Sequence, residues 1–331
     1  MTNDNLKPAN LPTTNLFTSR HFHLEQLAEG VFAAINAEEG WAICNAGIID
    51  LGDRTIVYDA FSCPQAANDL REAAESLTGR PVRMLINSHY HNDHIWGNQA
   101  FSAEVNIIST GKTRQLIITE GAAEIKWYGE KAQKRLETLE AQYAESDDEA
   151  VRQELKPAIY DYQAIVAALP ILQVRLPNLT FTGELVFNGP KRSARLLSYD
   201  NAHCGSDTIL YLPEDGIVFM EDTLFINCHP YLADGDPVVI QRVLADVKVL
   251  QPSILVPGHG PVGTIEHLDV LDGYINNLNT SVEDAIILGL TEVELDNIPI
   301  PRPYQQFLFR MFFATNLKFV YQRQMKARNH T

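Results

Sequence analysis

The stretch INSHYHNDHIWGNQAF, residues 86–101, sets three histidines and an aspartate within six positions of a chain that has ten histidines among 331 residues. The mostly apolar run before it, PVRMLI, reads as a strand covered on both faces, which belongs to the two-sided sheet of an α/β protein. In an extended or tightly looped segment His89 and His91 project to the same side, because side chains alternate with period two. Asp93 and His94 then stand on the turn beyond and face a second point nearby. Four ligand-competent groups in six positions cannot all find core hydrogen-bond partners cheaply. Imidazoles with a carboxylate suit zinc, or iron and manganese. A bare His-x-His pair carries no such weight: His21 and His23, in HFHLEQLAEG, read as surface or packing residues.

Outward from that stretch, strand and helix patterns alternate. GVFAAIN (30–36), WAICNAGIIDL (41–51) and TIVYDAF (55–61) read as strands, and QAANDLREAAESL (65–77) as a helix. Residues 112–169 are rich in Ala, Glu, Lys, Gln and Leu, which predicts a helical hairpin broken near residues 145–148. Ser146 and Glu149 there resemble a capping box, and Pro157 must start a helical turn or kink one. Strands return at VRLPNLTF, ELVFNG, ARLLSYD, TILYLP, IVFMED and SILVPGHG, with PEDG (213–216) as a hairpin turn. The remainder reads as helical, with Phe309, Phe312, Phe313, Leu317, Val320 and Tyr321 spaced as a core-facing stripe. The expected organisation is a loose arm over 1–20, a main domain over 21–265 that includes the insertion 112–169, and a helical extension over 266–331 packed on the same domain.

Apolar residues at 45% and charged residues at 21% are globular values, and a net charge of −16 argues against a nucleic-acid backbone as partner. From Pro301 onward no acids occur, and the basic residues there read as a solvated helix face. No apolar run approaches the roughly 20 residues that span a bilayer, and the first residues show no secretory pattern. Cys44, Cys63, Cys204 and Cys228 are widely spaced, which fits free thiols and a reducing cytoplasm. A small-molecule substrate is the expected partner, with no nucleic acid and no membrane.

Three later positions complete the pattern. His203 lies in SYDNAHCGSD, Asp222 in VFMEDTLF and His259 in LVPGHGPVG, each at or just beyond a strand end. Strand ends are where α/β sheets build sites. HxHxDH followed in order by AHCGSD, EDTLF and PGHG resembles the metallo-β-lactamase superfamily over residues of about 30 to 265. The resemblance implies an α/β fold: an αββα sandwich, here with a helical insertion and a helical C-terminal extension. It implies two divalent metal ions, zinc first, with iron and manganese as alternatives. His89, His91 and His203 would hold one ion, Asp93, His94 and His259 the other, and Asp222 would bridge them. Asp59, in VYDAF, matches the family's strand-end aspartate and would orient a ligand. Such a pair of ions activates water at neutral pH, and Asp93 or Asp222 would pass a proton to the leaving group. Cys204 beside His203 should point away from it and pack in the core.

Within the superfamily, the three-histidine, one-cysteine β-lactamases place cysteine where this chain has Asp222. Lactonases commonly carry tyrosine where Phe225 stands. The thioesterases resembling glyoxalase II share the ligands and the Asp-x-Leu-Phe run. Persulfide dioxygenases hold one iron at positions equivalent to His89, His203 and Asp222, so an iron oxygenase is the alternative to a hydrolase. A metal-binding module without catalysis is a third reading. LPNLTF, His229-Pro230 and LVPGHGP fit the broad hydrolase branch, acting on an ester, thioester, lactone or related bond. Tyr90, Trp96, Phe225, His229 and Tyr231 are the expected pocket walls, with Trp127 and Tyr128 of the insertion facing substrate or forming a homodimer interface.

Overall fold

The computed structural model describes residues 17–329; most of the arm expected over 1–20 (residues 1–16) lies outside the described residues. In chain order come β1 (Phe22–Ala28), β2 (Val31–Asn36), β3 (Ala46–Asp50), β4 (Thr55–Tyr58), α1 (Pro64–Thr78), β5 (Met84–Ile86), the single-turn α2 (Asn92–Ile95) and β6 (Asn106–Thr110). The hairpin α3 (Gly111–Glu145) and α4 (Glu149–Ala168) follows, then β7 (Leu179–Phe181). These seven strands form one sheet in sequence order, antiparallel as far as β4 and parallel from β4 to β7. The second sheet runs β12-β11-β10-β9-β8, from β8 (Glu184–Asn188), β9 (Ser193–Asp200), β10 (Ser206–Leu212), β11 (Ile217–Phe225) and β12 (Ile254–His259). Between β11 and β12 lies α5 (Pro237–Leu250), and α6 (Glu266–Ile287) and α7 (Met311–Asn329) end the chain.

Period-two patterning explains why the sheets stack between helices. In β2, Phe32 and Ala34 face one apolar cluster with α1 residues Leu70 and Ala74, while Val31, Ala33 and Ile35 face another. That second cluster lies between the sheets, because it also takes Leu196, Leu210, Phe219 and Val256 from the far sheet. The alternate residues of β11, Val218 and Met220, turn outward onto α5, α6 and α7 through Val243, Tyr274 and Leu317. Three apolar interfaces therefore separate four layers, helix, sheet, sheet, helix, as the family resemblance implied.

Several local expectations need correction. A strand over 41–51 is realised only from Ala46, because residues before it turn: Ile43 has φ +68° and its N–H donates to Asn36 Oδ1. FHLEQLA forms edge strand β1, in which His23 is exposed, while His21 just before it packs on Trp41. VRLPNLTF contributes only Leu179–Phe181. Helix α5 had no counterpart in the sequence reading. Ser146 accepts from Asp148 N–H (3.2 Å) in the link between the hairpin helices, and Pro157 lies inside α4. Phe309 does not join the core stripe; it precedes α7 at φ +58°. All four cysteines are buried free thiols.

Candidate metal centre

The loop after β5 is held by Asp59 at the end of β4. Asp59 Oδ1 accepts from Ser88 N–H (2.8 Å), and Asp59 Oδ2 accepts from Ser88 Oγ–H (2.8 Å) and lies 2.8 Å from His94 Nδ1. Ser88 has one hydroxyl proton, and that proton is committed to Asp59. Ser88 Oγ can therefore only accept from His89 Nδ1, 2.9 Å away. Both His89 and His94 thus carry their proton on Nδ1 and leave Nε2 bare, each toward its own group of potential ligands. His91 is set the opposite way, its Nε2 lying 3.0 Å from Asp234 Oδ2, an oxygen that also accepts from Tyr90 Oη–H (2.6 Å).

The second sheet brings the rest. Asp207 closes the AHCGSD loop on itself by accepting from Ala202 and Cys204 N–H (both 3.0 Å), which presents His203. Irregular pairing of β11 with β12 across Glu221 to Phe225 turns Asp222 into the cleft. His259 ends β12, its loop pinned by Asn45 Nδ2–H to the carbonyls of Pro257 (2.9 Å) and Gly260 (2.8 Å).

All seven expected ligand residues converge. His91 Nδ1 and His203 Nε2 are 3.0 Å apart, and Asp222 Oδ2 lies 3.3 Å from His203 Nε2. Asp222 Oδ1 instead faces His94 Nε2 (3.2 Å) and His259 Nε2 (3.4 Å), while Asp93 Oδ2 lies 3.3 Å from His259 Nε2. His89, His91, His203 and Asp222 form one group and His94, Asp222 and His259 another, and within each the potential ligand atoms lie within 4.8 Å of one another. The donor set fits cations: His89 Nε2, His94 Nε2 and Asp222 Oδ1 are buried with no hydrogen bond of their own, which buried polar atoms rarely tolerate.

The family comparison agrees with this geometry. Residues 40–259 match the model of the metallo-beta-lactamase superfamily. The chain belongs to that superfamily. Similar solved structures include a metallo-beta-lactamase from Pontibacter korlensis, at 13% identity and a TM-score of 0.56 over 77% of this chain and 99% of that one. One from Erythrobacter litoralis shows 16% identity and a TM-score of 0.55 over 79% and 99%. The enzyme FIM-1 from Pseudomonas aeruginosa, in a mono-zinc form, shows 13% identity and a TM-score of 0.53 over 77% and 95%. At these identities the likeness establishes the shared metallo-beta-lactamase fold. No curated protein matches the chain by sequence.

Around the superfamily's ligand cluster the expected pocket residues divide. Phe225 stacks on His259 (ring centroids 5.0 Å apart), and Tyr231 lies 6.5 Å from His91 and 6.4 Å from His203, with Tyr90 beside His91 at 4.6 Å. Trp96 is buried in the core and backs Tyr128 edge-on at 5.8 Å, so it supports the wall instead of forming it. Trp127 is 49% exposed. His229 is wholly enclosed, its Nδ1 3.0 Å from Tyr274 Oη, and burial lowers its pKa to about 4. It packs among Tyr274, Phe307 and Phe313 instead of reaching the cleft. Cys204 donates to Ser206 O and stands outside the ligand groups.

Other residues at the centre were not anticipated. Cys44 lies with Asp93 and His94 and donates to Asp93 O (2.9 Å); burial pushes its thiol up to about 12. Asp234 anchors His91. Phe309 meets His259 edge-on at 6.0 Å, and its neighbour Arg310 pairs with Glu154 of α4, tying the hairpin to this segment.

Electrostatics show what a cation must displace. In the metal-free protein burial opposes charging His259, but Asp222 and Asp93 outweigh it and raise its pKa to about 10. His203, by contrast, is lowered by burial to about 3 and stays neutral. A cation held by His259 would therefore release its proton. On the hairpin, burial pushes Glu124 and Asp161 up to about 7, with Asp93 adding to the rise of Asp161. A carboxyl raised on folding costs stability once pH exceeds its unfolded pKa, and the cost grows until the folded pKa is passed. Asp161→Asn should therefore stabilise the metal-free protein more at pH 8 than at pH 5.5, by about 1 kcal/mol after discounting for the partial exposure of Asp161. Urea unfolding at the two pH values measures this; an equal gain at both would contradict the shift.

Proposed function

We propose that this protein is a hydrolase that works with two divalent cations on an ester, thioester, lactone or related bond of a small molecule. The observation that carries the reading is the division of Asp222: Oδ2 serves the His203 side and Oδ1 the His94 and His259 side. A centre for one ion needs no such division, nor the intact set Asp93, His94 and His259. Two bound cations would supply an activated water and polarise the scissile bond. The chain's own residues do the rest. Asp59 and Asp234 fix the imidazoles of His94 and His91, Phe225, Tyr231 and Phe309 keep the cleft apolar, and Asp93, whose side chain is 15% exposed, carries a proton to the leaving group.

The substrate partner is a small molecule, and the exposed Trp127 face of the hairpin is where a second copy would pack as a homodimer. Among the described residues no helix is long and apolar enough to cross a membrane.

Elemental analysis of purified protein should find two divalent ions per chain, zinc foremost. A screen of lactones, thioesters, phosphoesters, sulfate esters and β-lactams should find activity that chelation abolishes and zinc restores. One tightly bound iron, with oxygen consumed on a persulfide substrate, would move the assignment to the mononuclear oxygenase class.

A further inference from the structure

Glu221, immediately before Asp222, is in a costly place. Its backbone has φ +46°, in the left-handed region that favours glycine and strains other residues. Its side chain is fully buried, and a buried carboxylate without compensation is destabilising in its own right. One oxygen is accounted for: Oε1 accepts from Thr223 N–H at 3.1 Å. The other, Oε2, has no aligned hydrogen bond and lies 3.1 Å from His89 Nδ1.

That contact falls on the edge of His89 whose tautomer is already fixed. Because Ser88 gives its proton to Asp59, Nδ1 must carry the imidazole proton, and Glu221 Oε2 sits against that N–H while Nε2 faces the ligand cluster. The same relation recurs twice. Asp59 lies 2.8 Å from the outward nitrogen of His94, and Asp234 lies 3.0 Å from that of His91. Each histidine of HxHxDH thus has its own carboxylate on the side away from the cluster. Two divalent cations bring more positive charge than Asp93 and Asp222 cancel, so anions at the next distance stabilise the loaded centre and strengthen each imidazole as a ligand.

We propose that Glu221 is a positioning residue for the metal centre, its carboxylate supporting His89 as a ligand of the ion on the His203 side. This rests on the two-cation reading above, but its test does not depend on any substrate. Glu221→Gln keeps shape and the Thr223 contact while removing charge; Glu221→Gly removes the side chain and relieves the backbone. Zinc would be titrated into each metal-free protein in competition with a chromophoric chelator, with melting temperatures recorded before and after loading. Both variants should bind the tighter equivalent of zinc roughly tenfold to a hundredfold more weakly, while their metal-free melting temperatures equal or exceed that of the parent. A zinc affinity in Glu221→Gln within twofold of the parent would overturn the proposal and leave the metal reading intact. A merely structural role predicts the reverse pair of results, with lowered metal-free stability and unchanged zinc affinity. Failure of the parent itself to bind zinc would remove both readings together.

Discussion

Asp222→Asn is expected to lower turnover by roughly a thousandfold or more while leaving the fold in place, because loss of a metal-stabilised nucleophile costs several kcal/mol of barrier. The strand that carries it is secured by Ile217, Val218, Phe219 and Met220, all buried and all untouched by the change. The two oxygens of Asp222 have different duties, 3.3 Å from His203 on one side and 3.2 Å from His94 on the other. An amide is neutral and offers one good ligand oxygen, so it can serve only one of those sides. The weaker ion should leave first, and with it the hydrolytic activity. Metal content, melting temperature and turnover measured on one preparation decide the matter. A variant that holds two ions and near-full activity would show that Asp222 is not the bridge.

How much of this was legible beforehand depended on where each residue's signal lay. The cluster could be read because four of its residues fall together between His89 and His94, and because His203, Asp222 and His259 each stand in or just beyond a strand pattern. Sheets covered on both faces could be read because β2, β3 and the first four residues of β11 are buried and almost uniformly apolar, while the four-layer order came from the family resemblance. Strand β1 was missed because it lies at a sheet edge, where only Phe22 is fully buried and charged residues intervene. Helix α5 opens with Val238, Val239 and Ile240, a β-like run; the usable signal was the Asp236-Pro237 pair, since Asp236 Oδ1 accepts from Val238 N–H (3.0 Å). His229 misled because a histidine beside a site in sequence need not face it in space, and its ring was turned into the helical layer by Tyr274.

The supports of the centre were harder. Cys44, Asp234 and Phe309 lie far along the chain from the histidines they touch, and only the folded chain brings them together, the stacking of two sheets in the case of Asp234 and His91. Glu124 and Asp161 reach the centre from the insertion, whose composition announces helix and nothing about its inner face. Glu221 did leave a mark: two adjacent acids, Glu221 and Asp222, after the apolar run IVFM are an expensive arrangement.

Gly258→Ala should damage the centre almost as severely, and for a reason of space alone. A Cβ at this position would stand 1.9 Å from Asp222 Oδ1, 2.8 Å from Glu221 C and 2.9 Å from Asp222 N. The segment cannot retreat, because Gly258 O accepts from Asn45 N–H (2.8 Å) and Asn45 Nδ2–H holds the carbonyls of Pro257 and Gly260 on either side. What can yield is the Asp222 side chain, and turning it withdraws Oδ1 from both His94 and His259. The added methyl should thus expel the ion on that side, reducing turnover as far as Asp222→Asn does. The backbone contacts with β11 add an overpacking cost of roughly 1–3 kcal/mol, so the melting temperature should fall as well, which Asp222→Asn does not require. Gly111→Ala, at the start of α3 with no atom within 4 Å of the new methyl, is the matched control. If Gly258→Ala retained two ions per chain and the melting temperature of the parent, β12 would have to be freer to move than its hydrogen bonds imply.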